Sequence, residues 1–132
     1  VSSLPYKWYK AFATEGGVRG PAIFHYPKMI KKDVEINHDF ISIMDLAPTF
    51  LELANVEHPG TMYKDRKIFP MNGLSFLSWL KDDAAQIHDK EKAHVWELYG
   101  RRGVRKGDWK AEWMEKRFQA AGTQFRPLAS VN

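Results

Sequence analysis

The chain has 132 residues, 44% of them hydrophobic and 27% charged, with a formal charge of +4 and no cysteine. That balance belongs to one globular domain or less; it excludes general disorder, disulfides, a thiolate nucleophile and a cysteine-ligated zinc. With 20 basic against 16 acidic residues and a pI near 9.3, an anionic ligand is compatible with the charge but not selected by it.

Residues 1–17 mix Ser, Pro, Tyr and Trp with Gly16-Gly17 and follow neither a period of two nor one of 3.6, so they read as loop. "VRGPAIFHY", from Val18 to Tyr26, holds the short apolar run Ala22, Ile23, Phe24 and predicts a strand covered on both faces, with Pro21 limiting hydrogen bonding at its start. The polar connection after Pro27 predicts a short extended piece near Val34 to Ile36. "DLAPTFLELANV" predicts a helix capped by Asp45, with Pro48 in its first turn and Asn55 at its end. Leu46, Phe50 and Leu53 would form its packing face, with Thr49 and Glu52 beside it.

"EHPGTMYKDRKIFPMNG" predicts an exposed, turn-rich excursion, "LSFLSWLKD" a short apolar helix and "DDAAQIHDKEK" a solvated connector. "HVWELYGRRGVRKGDWKAEWM" alternates as two or three antiparallel strands joined through Lys106-Gly107-Asp108. Trp109, Ala111 and Trp113 would line the covered face, and Lys110 and Glu112 the solvated one. The remainder, "EKRFQAAGTQFRPLASVN", loses the pattern. Two regions result: residues 1–84, of α/β character, and residues 85–132, a small antiparallel sheet. The fold class is α/β, or α+β for the piece alone.

Few residues carry a chemical signal. His25, His38, His58, His88 and His94 never recur at metal-ligand spacing and read as surface or core histidines, so no metal site is assigned. Asp82-Asp83 lies in the charged connector. Arg101, Arg102, Arg105, Lys106 and Lys110, interleaved with Tyr99, Trp109 and Trp113, imitate a nucleic-acid face, but strand alternation accounts for them and no nucleic-acid partner is expected. Lys10 differs in its setting: it stands beside Glu15-Gly16-Gly17, where glycines permit tight backbone geometry at a predicted strand end.

"YKAFATEGGVRGPAIFHYP", "MDLAPTFLELANVEHPG", "NGLSFLSWL" and "WELYGRRGVRKGDWKAEWM", in that order between Tyr9 and Met114, resemble consecutive pieces of the C-terminal part of arylsulfatases. The resemblance implies part of an alkaline-phosphatase-like α/β domain followed by a smaller C-terminal antiparallel sheet. It matches Lys10 to the lysine that contacts the substrate sulfate, with Glu15, Gly16, Gly17 and Arg19 as structural residues near the site. It also implies a parent hydrolase that uses a formylglycine, made from a Cys/Ser-x-Pro-x-Arg motif, and a divalent cation, usually calcium. Neither element is recognisable here; "SLPYK", Ser3 to Lys7, has lysine where that motif has arginine, and reads as coincidence.

The chain therefore reads as a C-terminal sulfatase piece, inactive alone, whose partners are the sulfate ester of the parent and the N-terminal sulfatase portion. The alternative is a non-catalytic module that binds sulfated or other anionic ligands. It opens on Val1 rather than methionine, as a segment of a longer protein would, so its compartment stays open between cytoplasm and periplasm. No run reaches the roughly 20 apolar residues that cross a bilayer, so no membrane partner is expected. A piece of a larger sheet should expose edges and apolar faces, which predicts self-association.

Overall fold

The computed structural model describes residues 3–30, 36–81, 86–114 and 124–127. In chain order its elements are helix α1 (Glu15–Val18), a 3-10 turn (Ile43–Asp45), α2 (Leu46–Leu53), strands β1 (Met62–Tyr63) and β2 (Arg66–Lys67), α3 (Leu77–Leu80), then β3 (Ala93–Leu98), β4 (Arg101–Lys106), β5 (Trp109–Trp113) and β6 (Gln124–Pro127). The architecture is mixed α and β with antiparallel sheets. The chain divides into two compact units: Val1–Ile23 with Asp89–Asn132, and Phe24–His88.

The first unit is built on a four-stranded antiparallel sheet in the order β3-β4-β5-β6. Tyr99 and Gly100, both at positive φ (53° and 77°), join β3 to β4, the backbone shape that matches strand twist in a two-residue hairpin. Gly107, at φ 53°, occupies the β4–β5 turn as predicted. The register places Trp96 opposite Gly103 and Gly103 opposite Glu112, so these three share a face with His94, Arg105 and Lys110 in the next row. Gly103 is buried because the Trp96 indole lies on it: a Cβ there would stand 2.3 Å from the ring. β6 adds a fourth strand where the sequence shows no pattern.

The covered face of this sheet is the reverse of the predicted one. Lys110 is 5% exposed, whereas Trp109 is 61% exposed and Val95 and Trp113 are open as well. The polar face is roofed by the buried segment Phe12-Ala13-Thr14, and Lys110 can go under that roof because carboxylates surround its ammonium. Alternation identifies two faces; it does not say which one the rest of the chain covers.

In the second unit the helix around residue 50 is present, but its start and its buried side differ from expectation. Asp45 stands at the N-cap position of α2 but makes no side-chain cap bond to it; the capping is done one turn earlier by Ser42, whose hydroxyl accepts from Met44 N while the Asp45 carboxylate reaches back to Ser42 N at 2.7 Å, a reciprocal capping box on the 3-10 turn. Thr49 is buried, while Phe50 is 58% exposed and Leu53 is exposed too. The Thr49 hydroxyl donates to Asp45 O (2.7 Å) and accepts from Phe76 N (3.1 Å), so the contacting side is chosen by hydrogen bonds rather than by the apolar stripe. Asn55 ends the helix as predicted. It sits at φ 53°, with its own N–H on Glu52 O and that of Val56 on Leu51 O, a Schellman closure.

Phe76 and Leu77, at the start of α3, form the buried apolar core of this unit, with Phe24 edge-on to Phe76 at 5.1 Å between ring centres. Each such burial contributes roughly 1.5–3 kcal/mol. β1 and β2 form a small exposed hairpin, consistent with the predicted excursion. The predicted strand at 18–26 is absent: Pro21 to Tyr26 make no ladder, and Ile23 is 93% exposed. Among the described residues no strand lies alongside to receive its backbone bonds. Of the extended piece expected near Val34 to Ile36, Val34 and Glu35 lie outside the described residues and Ile36 is irregular.

Candidate functional site

Lys10 sits at the exposed tip of a turn. Phe12 N donates to Tyr9 O at 3.2 Å, so Lys10 and Ala11 are the two central residues of a tight β-turn. Ala11 is at φ 75° and Trp8 at φ 67°, left-handed conformations on both sides of the lysine in residues that carry a Cβ. Each costs on the order of 1–3 kcal/mol and persists only where the surroundings over-determine it.

Those surroundings are specific. Phe12 stacks on Trp8 (ring centres 4.7 Å apart, planes at 16°) and meets Tyr9 edge-on at 5.3 Å. The Arg101 guanidinium lies 4.3 Å from the Phe12 ring centre and donates through Nη1 to Ala11 O at 2.7 Å, gripping the strained residue from the sheet. Thr14 Oγ1 donates to Lys7 O at 2.8 Å, closing the segment on itself. Lys10 itself makes no ion pair with any described residue.

The segment ends in α1, a single helical turn where the sequence predicts loop. Gly16 and Gly17 are required there by close approach, not by unusual φ. A Cβ on Gly16 would stand 2.3 Å from Trp8 O, and one on Gly17 2.1 Å from Phe12 O. The turn thus lies directly against the backbone that flanks Lys10.

Glu15 ties this turn to the sheet. Its Oε1 accepts from Lys110 Nζ at 2.7 Å, and its Oε2 lies 3.9 Å from Arg19 Nη1. Lys110 is also held by Glu112 Oε1 at 2.8 Å, with the Trp96 ring centre 5.3 Å from its ammonium. Burial lowers the Arg105 pKa, with Glu15 and Asp108 acting against that and Arg19 reinforcing it. As a guanidinium it stays charged, so Arg19 and Arg105 bring positive potential to the same carboxylate.

Lys10, Glu15, Gly16, Gly17 and Arg19 therefore stand in one unit, with Glu15 and Arg19 adjacent and Lys10 set apart at the tip. Arg101, Lys110 and Glu112 hold that segment on the sheet, a part that sequence reasoning does not give them: it reads Arg101 and Lys110 as members of a basic run and Lys110 and Glu112 as a solvated face. The signal available was alternation, which puts Lys110 and Glu112 together on the face opposite Trp109 and Trp113. The basic run 101–110 is split: Arg101, Arg105 and Lys110 share the face of Trp96, and Arg102 and Lys106 the other. Of the histidines, His88 is drawn into the second unit, with Nε2 2.7 Å from the buried Asp45 carboxylate. Asp82-Asp83 lies outside the described residues. No group of three or more His, Asp or Glu side chains suited to a cation occurs among the described residues. No described helix is long and apolar enough to cross a membrane.

Comparison with known proteins adds a consistent set of likenesses. Residues 5–118 match the family model described as N-sulphoglucosamine sulphohydrolase, C-terminal. An uncharacterized sulfatase of Schizosaccharomyces pombe is 38% identical over 116 residues, covering 88% of this chain and 21% of its own length. A sulfatase of Formosa agariphila is 31% identical over 105 residues, covering 80% of this chain and 18% of its own length. The N-acetylgalactosamine-6-sulfatase of Mus musculus is 30% identical over 146 aligned positions, covering 99% of this chain and 24% of its own length. The chain thus spans about a fifth of the length of the curated relatives it matches.

Proposed function

The chain belongs to the sulfatase family, matching its C-terminal region, and we propose that it is the C-terminal part of a sulfate-ester hydrolase in which Lys10 contacts the sulfate group of the substrate. The observation that carries this reading is the presentation of Lys10: an exposed side chain at the tip of a turn, bracketed by two strained residues, Trp8 and Ala11, the second of which is gripped through its carbonyl from the sheet. Strain of this kind supports a site rather than a solvated surface lysine. An ammonium carried on a held backbone turn would bind an anionic sulfate and offset charge that develops on its oxygens as the ester bond breaks.

The rest of the chemistry is assigned elsewhere. The residues of this chain do not fit the formylglycine and divalent cation of sulfatase chemistry: no Cys/Ser-x-Pro-x-Arg motif occurs in the sequence, and the described residues offer no cation cluster. We place both, together with the remainder of an alkaline-phosphatase-like α/β domain, in sequence outside this chain. A sulfo group, on nitrogen in one and on oxygen in the other, is common to the activities for which the family model and the mouse relative are named, and it is the element Lys10 would meet.

The test compares the 132-residue chain with the product of its coding segment extended in frame upstream, each with and without Lys10→Ala. The extended protein is expected to hydrolyse an aryl sulfate and to lose about 10²–10³-fold in kcat on Lys10→Ala, the usual cost of removing one preorganised charge-stabilising donor. The chain alone is expected to give no turnover. Hydrolysis by the chain well above its Lys10→Ala control would overturn the division of labour, and full activity in extended Lys10→Ala would overturn the role of Lys10.

A further inference from the structure

We propose that Lys110 is a positioning residue for Lys10, a role that rests on the reading of Lys10 as the sulfate contact. Lys110 touches no substrate in this proposal. It acts through Glu15.

The geometry gives Lys110 a role that a surface lysine lacks. Its ammonium is withdrawn from water, 5% exposed, between Glu15 of the N-terminal segment and Glu112 of its own strand, at 2.7 and 2.8 Å. A buried ammonium between two carboxylates holds both in place, because releasing either breaks a charge-assisted hydrogen bond at an ammonium that little water can reach. Glu112 is fixed in β5, so the freedom removed is that of Glu15. Glu15 opens α1, and α1 lies against the backbone of Trp8 and Phe12, with no room for a Cβ on Gly16 or Gly17. A shift of Glu15 is therefore passed rigidly to the two ends of the Lys10 turn.

Arg101 holds the middle of the same segment at Ala11 O. The turn is thus fixed to the sheet at two points, one on β4 and one on β5, on either side of the buried Phe12-Ala13-Thr14. Two points define a direction as well as a place. The direction in which Lys10 projects is the quantity that an ion contact with sulfate depends on.

The experiment is a titration of the full chain with inorganic sulfate at constant ionic strength, followed on the side-chain resonances of Lys10 and, for variants lacking it, on neighbouring amides. Lys10→Ala should abolish the response. Glu15→Gln is the decisive variant, because it removes a negative charge. Simple attraction then predicts tighter sulfate binding, whereas loss of positioning predicts binding weaker by about three- to tenfold, since small misplacements of a binding group cost affinity steeply. Lys110→Met should weaken binding to a similar degree, Lys110→Arg should restore most of it, and Lys110→Met added to Lys10→Ala should change nothing further.

Tighter or unchanged binding in Glu15→Gln, with the chain's amide spectrum intact, overturns the proposal even if Lys110→Met fails to fold. A response that survives Lys10→Ala overturns it from the other side, through the assignment of Lys10 itself. The two failures are told apart by which variant leaves binding intact.

Discussion

Asp45 in the Phe24–His88 unit and Lys110 in the sheet unit are both withdrawn from water, at 0% and 5% exposure, yet they are satisfied in opposite ways. Asp45 accepts from two backbone amides, Ser42 N and Leu74 N at 2.7 and 2.8 Å, and meets His88 Nε2 at 2.7 Å. Lys110 gives its charge to two side-chain carboxylates. Amide donors come with the backbone, so a buried carboxylate joins chain segments directly: the start of α2, the approach to α3 and residue 88. The Lys110 ammonium is satisfied by side chains, and it joins segments through their rotamers. Asp45 is thus a structural joint, and Lys110 holds a loop in position on a sheet that β-pairing already forms.

The largest effect that would sharpen this contrast is expected at Asp45. Asp45→Ala strands two amides and the His88 partner and should cost about 3–5 kcal/mol, as removal of one side of a buried charged network does. Urea denaturation with amide exchange measures it, and the exchange should accelerate in residues 42–77 before it does in the sheet. Asp45→Asn, which keeps the shape and an acceptor, should cost visibly less. A loss for Asp45→Ala within the error of an ordinary surface substitution would break the comparison.

Next in size is Gly17→Ala, which probes the rigid contact that transmits position in the sheet unit. With a Cβ forced to 2.1 Å from Phe12 O, the backbone must move, at about 1–3 kcal/mol. Gly20→Ala is the control three residues on, where a Cβ would meet nothing within 4 Å, and its denaturation midpoint should stay within error of wild type. Equal costs at both positions would show that the loss reflects intrinsic backbone entropy rather than contact.

The same contrast explains what could be read from the sequence. The hairpin strands β3 to β5, the turn at Gly107, the α2 helix with its Asn55 stop and the short α3 helix all follow from local rules: period, turn chemistry and capping. Which face of a helix or strand is covered is a long-range property. Lys110 goes inside because Glu15, 95 positions away, comes to meet it. Thr49 rather than Phe50 is buried because Phe76 N needs its hydroxyl. The absent strand at 18–26 has the same cause, since an extended apolar run becomes a strand only when a neighbour supplies the ladder. Family resemblance and a glycine-rich setting are what single out Lys10 in the sequence, whereas the residues that hold its segment on the sheet lie in strands that look ordinary.

Asn55 tests one of the locally legible features. Its φ of 53° is tolerated by asparagine and disfavoured for alanine, so Asn55→Ala should cost about 1 kcal/mol, and Asn55→Gly should be neutral or slightly stabilising. Thermal unfolding of the three proteins in one buffer measures both. An effect as large as that of Asp45→Ala would mean that helix closure, not the buried carboxylate, limits this unit.

The smallest effect is expected at Lys106, one strand away from Lys110 and its exposed counterpart. Lys106 Nζ pairs with Glu91 at 2.7 Å, but the two side chains are 54% and 80% exposed. The hydrogen bond that Lys106 donates to Glu91, and the charge of that carboxylate, raise the Lys106 pKa above the ordinary 10.5. A raised value in the folded state means that the pair's contribution is fully present below 10.5 and is lost as pH rises through the raised value. Water and salt screen such a pair, so Lys106→Gln should leave the unfolding midpoint within error at neutral pH, and added salt should not separate the two proteins. Whatever small difference is found should stay level from about pH 7 to the ordinary lysine value and fade above it. A Lys106→Gln loss that rivalled Lys110→Met would make an exposed pair on β4 equal to a buried one on β5. Burial would then no longer explain why one lysine of this sheet positions a loop and the other does not.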